Sequence, residues 1–108
     1  MDNNWKSFNK HKPPLAHRID NGERTDKILL LIDGEIYLGY YINQVVSDDN
    51  KKELLKWIEC AFFSFDELNS NDFIEILGET EFNKHDIYWH ELNIHEILSN
   101  IVSLESEN

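Results

Sequence analysis

Three histidines in the last quarter of the chain come closest to a catalytic or metal-binding pattern. His85, His90 and His95 are spaced five apart, and an acidic residue follows each of them. Imidazole and carboxylate together suit zinc or iron. However, a spacing of five does not place two ligands on one helical face, and on a strand His85 and His90 would point to opposite faces. Surface histidines are therefore the leading interpretation, and a small metal-dependent enzyme using this cluster is kept as an alternative.

No other motif in the sequence indicates an enzyme. Cys60 is the single cysteine, and its surroundings are acidic, whereas a reactive thiolate needs basic neighbours. The serines lack a G-x-S-x-G context, and there is neither a P-loop nor a G-x-G-x-x-G fingerprint. We therefore expect a non-enzymatic protein without catalytic residues, a bound metal or another cofactor.

The charge distribution carries the functional argument. The 108-residue chain has 21 acids against 10 bases, a formal net charge of −11. From residue 57 onward a single base, Lys84, stands against twelve acids. Such a surface repels nucleic acid and anionic membranes and attracts basic partners. The simplest interpretation is a solvated surface that keeps the protein soluble, and the sharper one is a surface that competes for a basic site.

On the sharper interpretation, the contact residues are exposed acids of the second half together with neighbouring aromatic side chains. The predicted partner-binding residues are Glu67, Asp72, Glu75, Glu79, Glu81, Phe82, Asp86 and Tyr88. The expected partner is a basic protein, either a nucleic-acid-binding effector or a toxin. Direct binding to nucleic acid or to a membrane is not expected.

The element that the sequence specifies best is a β-hairpin over residues 27–42. Ile28–Ile32 is an unbroken apolar run, typical of a strand that is covered on both faces. Asp33-Gly34 is suited to a type I′ turn, and residues 35–42 alternate as a return strand should. Within that strand, Gly39 suits a bulge or a close backbone approach.

Two helices are predicted to follow the hairpin. Apolar residues recur with helical spacing over about 50–63, after polar residues that suit a helix start, and again over about 94–104. A capping-box pattern begins at Ser64, and further strand candidates lie at 72–77 and 86–92. The predicted fold class is therefore α+β, a small antiparallel sheet built on the hairpin with a mid-chain and a C-terminal helix. The predicted domain organisation is an irregular arm packed on the domain at 1–26, a single α+β domain at 27–104 and a frayed tail at 105–108.

One resemblance concerns the order of several short pieces of the chain. The pieces are Trp5, Pro13-Pro14, Ile28–Ile32, Gly34, Gly39-Tyr40-Tyr41 and Trp89-His90-Glu91-Leu92. In this order they resemble a family of short phage and prophage proteins of unknown function. The chain departs from the pattern at Asn93, where that family has a proline, and in the long acidic stretch 45–84. The resemblance implies a phage-type accessory protein and supplies no activity.

Together these observations predict a non-enzymatic inhibitor whose acidic half blocks a basic nucleic-acid-binding surface, as anti-CRISPR and anti-restriction proteins do. An immunity protein that neutralises a cognate toxin is the alternative that composition does not separate from it. The single cysteine and the absence of an apolar signal-peptide core lead us to expect the cytoplasm, that of the host cell if the protein is phage-encoded.

Overall fold

A computed structural model describes residues 5–70 and 72–92. Within these residues, eight strands form one sheet in which every pairing is antiparallel. The strands are β1 (Lys6–Ser7), β2 (His17–Ile19), β3 (Gly22–Arg24), β4 (Ile28–Ile32), β5 (Glu35–Asp48), β6 (Lys51–Phe62), β7 (Glu75–Gly78) and β8 (Ile87–Glu91). A 3₁₀ helix, Asp66–Asn69, and a one-turn helix, α1 (Glu79–Phe82), complete the regular elements.

The predicted hairpin is present. The turn residues Asp33 and Gly34 have φ angles of 51° and 87°, which a type I′ turn requires, and Ile32 pairs with Glu35. The first strand, β4, lies between β5 and β8, so that both of its edges are hydrogen-bonded. The return strand, β5, continues beyond residue 42 as far as Asp48.

The predicted α+β class is wrong, because the mid-chain helix expected over about 50–63 is strand β6. This strand pairs with β5 along its whole length, from Tyr37 opposite Phe62 to Asp48 opposite Lys51. The polar residues that suggested a helix start form a second two-residue turn instead, in which Asp49 and Asn50 have φ angles of 47° and 69°. Asp and Asn favour both helix N-caps and type I′ turns, so the local signal did not separate the two.

The later elements follow the predictions in part. The strand candidates at 72–77 and 86–92 correspond to β7 and β8, and the polar connection between them contains α1. The predicted helix over about 94–104 and the predicted tail at 105–108 lie outside the described residues. Neither described helix is long and apolar enough to span a lipid bilayer.

Strand β5 is the central strand, and its two edges serve three partners. One edge pairs with β6, while the other pairs first with β4 and then, nearer its end, with β3. Beyond β4 come β8 and β1, beyond β6 comes β7, and beyond β3 comes β2. The sheet is therefore widest around the first half of β5, whereas the end of the β5–β6 hairpin projects from it.

Thr25 fills the break between β3 and β4 along the edge of β5. Its N–H donates to the Tyr41 carbonyl oxygen at 3.0 Å, and its Oγ1 accepts a bond from the Tyr41 N–H at 3.1 Å. The same hydroxyl donates to the Asp26 carbonyl oxygen at 2.7 Å, and the residue is only 1% exposed. The threonine side chain thus supplies the acceptor that a continuous strand would have given to Tyr41.

The core lies on one face of the sheet, where side chains from β4, β5, β6 and β8 meet. Phe8 and Phe82 cover this face, and their rings pack edge-on against each other at 5.3 Å. The ring centroids of Phe8 and Phe82 also lie 5.0 Å and 6.1 Å, respectively, from that of Tyr41. The indole N–H of Trp89 donates to the His11 carbonyl oxygen at 2.6 Å, which fastens the segment after β1 to the sheet.

The hydroxyl of Thr25 gives a first test of this arrangement. Replacing Thr25 by Val keeps the shape but leaves the buried Tyr41 N–H without an acceptor, so we expect a loss of about 1–3 kcal/mol in the free energy of unfolding. The matched Thr25→Ser variant keeps the hydroxyl and should retain most of the stability. Urea titration of the three proteins measures the difference, and equal midpoints for the Val and Ser variants would contradict it.

Gly39 gives a second test, because a Cβ atom at this position would lie 2.0 Å from the Glu59 carbonyl oxygen. The other near atoms are the Cα and Cβ of Cys60, which are fixed by the β6 backbone, so the predicted close approach is present. We expect Gly39→Ala to lower the free energy of unfolding by about 1–3 kcal/mol. Gly78→Ala is the control, since a Cβ there meets nothing within 4 Å. In thermal unfolding, the midpoint of Gly39→Ala should therefore lie below that of Gly78→Ala.

Candidate functional site

Four of the predicted partner-binding residues lie on or beside β7, which is the outermost described strand on the β6 side of the sheet. Asp72 precedes this strand, Glu75 begins it, and Glu79 and Glu81 lie in α1 directly after it. We call these four acids, together with the backbone of β7, the acidic edge. Asp72, Glu79 and Glu81 are exposed, and Glu75 is half-buried.

The position of β7 follows from pairing on one side only. It is hydrogen-bonded to β6, with Cys60 opposite Glu75 and Ile58 opposite Leu77, and to no other strand in the described ranges. Leu77 packs against the core, so the strand is held by burial as well as by its hydrogen bonds. The outer edge of β7 is therefore a boundary of the sheet within the described part of the chain.

Two large apolar side chains stand exposed beside these acids. Ile74 is 79% exposed and Ile76 is 62% exposed, although isoleucine is usually buried. The sequence analysis did not select them. The sequence F-I-E-I-L does contain a signal for them. Ile74 and Ile76 flank Glu75, and because successive residues of a strand point to opposite faces, the two isoleucines share the face opposite to Glu75.

Lys27 holds the connection that leads from the 3₁₀ helix to the acidic edge. Its Nζ donates to the carbonyl oxygens of Leu68 at 2.9 Å and Ser70 at 2.8 Å, with a longer contact of 3.4 Å to that of Glu67. A cation is favourable there, because these carbonyls lie at the C-terminal end of the 3₁₀ helix. Burial lowers the pKa of Lys27, and the nearby Glu67 opposes this shift.

The capping pattern at Ser64 also contributes to this connection. Ser64 Oγ accepts a hydrogen bond from the Glu67 N–H at 3.2 Å, which is one of the two bonds of a capping box. Further along, Ser70 Oγ accepts one from the Asp72 N–H at 3.0 Å. The backbone that carries Asp72 is thus held by local side-chain hydrogen bonds and by Lys27. Glu67, another predicted partner-binding residue, is half-buried and does not belong to the acidic edge.

Charges of the acidic edge are largely uncompensated. The Lys56 Nζ lies 3.8 Å from Glu79 Oε1, and this is the one ion pair within 4 Å that an acid of the edge makes among the described residues. Both side chains of that pair are partly exposed, and surface pairs of this kind contribute little stability. From Asp72 to Asn83 the sequence contains no Lys, Arg or His. Glu79 also faces Lys12, since burial and Lys56 lower the pKa of Lys12 and the charge of Glu79 opposes that shift. The negative charge of the edge without a paired cation within 4 Å among the described residues is therefore that of Asp72, Glu75 and Glu81.

Glu75 also affects the two ionisable groups behind it. Burial raises the pKa of the Cys60 thiol to about 12, and the negative charge of Glu75 adds to this shift. Burial likewise raises the pKa of Tyr37 to about 12, helped by its hydrogen bond to Glu35 and by Glu75. A thiol with this pKa is un-ionised at neutral pH, whereas the reactive form of cysteine is the thiolate.

The other predicted partner-binding residues are not part of this edge. Phe82 is 3% exposed and belongs to the core, so its prediction as an aromatic rim contact is wrong. Tyr88 lies on β8 opposite Leu31, and Asp86 lies at the Asp33–Gly34 turn. Both are on the β4 side of the central strand, whereas β7 is on the β6 side.

The described histidines His85 and His90 do not form a common site either. His85 lies just before β8 and His90 near its end, roughly 16 Å apart at about 3.3 Å per residue of strand. The ring of His90 packs edge-on against Trp5 at 5.5 Å. His95 lies outside the described residues, and residues 5–70 and 72–92 contain no cluster of three His, Cys, Asp or Glu that could hold a metal ion.

Comparisons with known proteins give no relative from which a function could be transferred. No family model matches the chain, and neither a curated protein nor a solved structure is significantly similar to it. The resemblance to short phage and prophage proteins therefore stays a prediction, and the functional argument depends on the described surface.

His85 has a structural partner, and this contact yields a prediction about pH. Its Nδ1 lies 2.5 Å from Asp33 Oδ2, while Asp33 Oδ1 accepts the Asp86 N–H at 3.0 Å. The bond from His85 first, and the one from Asp86 second, hold the pKa of Asp33 below its ordinary value of 3.8. A carboxylate with a lowered folded pKa stabilises the fold above pH 3.8 and loses that effect as the pH falls through the lowered value.

Asp33→Asn isolates this contribution, since Asn-Gly also favours the type I′ turn. We expect the wild-type protein to be more stable than the variant near neutral pH, and the difference to shrink as the pH falls below 3.8. Urea unfolding of both proteins over this range measures the difference. A difference that stays constant with pH would exclude the Asp33 carboxylate as its source.

Proposed function

We propose that this protein is a non-enzymatic inhibitor that binds a basic surface of another protein and thereby excludes nucleic acid from it. This would place it with phage or mobile-element anti-defence proteins of the anti-CRISPR or anti-restriction type. The observation that supports the proposal best is the acidic edge, where four carboxylates on one continuous segment have a single cationic side chain within 4 Å among the described residues.

The charge of the acidic edge determines which surfaces it attracts. Unpaired surface charges act over about a Debye length, roughly 8 Å at physiological ionic strength. Successive acids of the edge are two to four residues apart, which at about 3.3 Å per residue of strand separates Asp72 from Glu75 by roughly 10 Å. A partner segment that spans the edge therefore meets these charges one after another. Complementary charge raises association rates and rejects partners of the same sign. A basic groove that evolved to bind phosphates is therefore a suitable partner.

The rigidity of the edge also supports an inhibitor. Glu75 is fixed by pairing of β7 with β6, α1 is held through buried Phe82, and Lys27 fastens the preceding connection. Carboxylates on fixed elements lose less conformational entropy on binding than those on a free tail. An immunity protein against a basic toxin could use the same surface, so the experiment must separate the two.

A competition experiment tests the proposal and distinguishes the alternatives. The protein is immobilised and exposed to a lysate of the host cell, then washed either with increasing salt or with duplex DNA. We expect a retained protein that both salt and DNA displace, because the acids occupy its phosphate-binding surface. Displacement by salt but not by DNA would instead favour a toxin partner and contradict the anti-defence proposal.

Variants show whether the acidic edge carries this binding. Glu79→Lys together with Glu81→Lys should reduce retention by about tenfold or more and weaken its salt dependence. The matched control is Glu23→Lys together with Glu53→Lys, which changes the net charge equally at exposed positions on β3 and on the projecting hairpin. Equal losses in both double variants would show that only the net charge matters. Retention that neither salt nor charge reversal alters would overturn the proposal.

A further inference from the structure

We infer that the acidic edge binds its partner by strand addition: an extended partner segment with alternating basic and apolar residues pairs its backbone with the outer edge of β7. The basic character of this segment rests on the proposed function. The pairing itself rests on separate observations, namely the one-sided hydrogen bonding of β7 and the exposure of Ile74 and Ile76.

The backbone of β7 offers the required groups. A strand at the boundary of a sheet leaves alternate N–H and C=O groups unpaired, and these groups can accept another strand. In the described ranges, β7 pairs with β6 alone. The segment before it, with Phe73 packed edge-on against Tyr40 at 5.2 Å, does not pair with any described strand. The available edge is thus that of β7.

Other outer strands of the described sheet are less suited to such pairing. Proteins protect exposed edges with very short strands, lysine and proline. β1 has two residues including Lys6, and β2 has three including Arg18. The projecting end of β6 carries Lys51, Lys52 and Lys56. β7 is longer than β1 or β2 and contains neither a basic residue nor a proline.

The alternation of side chains along β7 defines the chemistry of the added strand. Ile74 and Ile76 lie on one face, and Glu75 lies on the other with Leu77. When two strands pair, the side chains of directly opposite residues lie on the same face, with their Cβ atoms about 4.5–5.5 Å apart. Residues that the partner places beside Ile74 and Ile76 should therefore be apolar, and those beside Glu75 should be basic.

The acids that flank β7 extend this pattern beyond the strand. Asp72 precedes the exposed isoleucines, and Glu79 follows Gly78 directly. A partner segment longer than β7 would meet Asp72 near one of its ends. At the other end, Glu79 Oε1 lies 3.8 Å from Lys56 Nζ on β6, the strand on the inner side of β7. An acidic segment would be repelled along the whole edge, and a wholly apolar one would leave Glu75 without a counter-charge.

The test uses a short soluble peptide of alternating lysine and valine as the probe. Two control peptides have the same composition: one is N-methylated at every backbone nitrogen, and the other groups the lysines before the valines. Strand addition predicts that the alternating peptide binds at least about tenfold more tightly than either control, because only it combines backbone donors with the right pattern. Titration followed by amide chemical shifts and by hydrogen exchange measures the binding.

The location of the response is the specific readout. On binding the alternating peptide, amides of β7 should shift and gain protection from exchange, whereas those of β2 should not. Ile76→Lys should weaken binding by about tenfold, since it places an edge-protecting lysine beside the pairing strand. Because residue 76 is 62% exposed, this variant should fold, and its unchanged circular dichroism would verify that.

Three results would overturn the inference: no binding of the alternating peptide, equal binding of the methylated peptide, or shifts that cluster away from β7. These failures are separable from failure of the proposed function. If they occur while duplex DNA still displaces a lysate partner, the inhibitor proposal stands and strand addition falls. If the peptide adds to β7 but no DNA-displaceable partner exists, the edge is a peptide-binding site of a different protein class.

Discussion

The fold depends on the antiparallel pairing of β5 with β6, which places a single long hairpin at the centre of the sheet. This pairing runs from Tyr37 opposite Phe62 to Asp48 opposite Lys51. Every other described strand is attached to one of these two, either directly or through one or two intervening strands. The opposite edge of β5 must then serve β4 and β3 in turn, and Thr25 satisfies the backbone where one gives way to the other. Gly39 permits the close approach of β6 at the point where β5 has partners on both sides.

Sequence patterns predicted the first hairpin correctly because its determinants are local. Asp33-Gly34 suits few other conformations, and the run Ile28–Ile32 is too short for a helix. The second hairpin was missed because β6 is composed largely of residues that also favour helices, such as Lys, Glu, Leu and Ala. Its apolar positions fit a helical stripe and a strand with buried Ile58 and Cys60 equally well. Only pairing with β5, a long-range interaction, decides between them.

The candidate site was predicted to a similar extent and for similar reasons. The acidic character of residues 72–81 is visible in the sequence, and so the acids of the edge were selected. The order of strands is not visible, and hence Asp86 and Tyr88 were grouped with an edge from which β4, β5 and β6 separate them. Phe82 was taken as a rim contact because its neighbours are polar, whereas its ring enters the core between Phe8 and Tyr41.

The acids beside β7 also affect self-association, which is a risk at any strand that is paired on one side only. Among residues 5–70 and 72–92, β7 pairs with β6 alone, so two copies of β7 have the backbone groups and the exposed isoleucines to pair with each other. Antiparallel pairing of two copies would bring the acids of one edge against those of the other, and like charges in direct opposition are destabilising. The same carboxylates to which we assign the binding of a basic segment thus oppose self-association. Exposed Ile74 and Ile76 are tolerable at this edge because the surrounding charge restricts which strands can reach it.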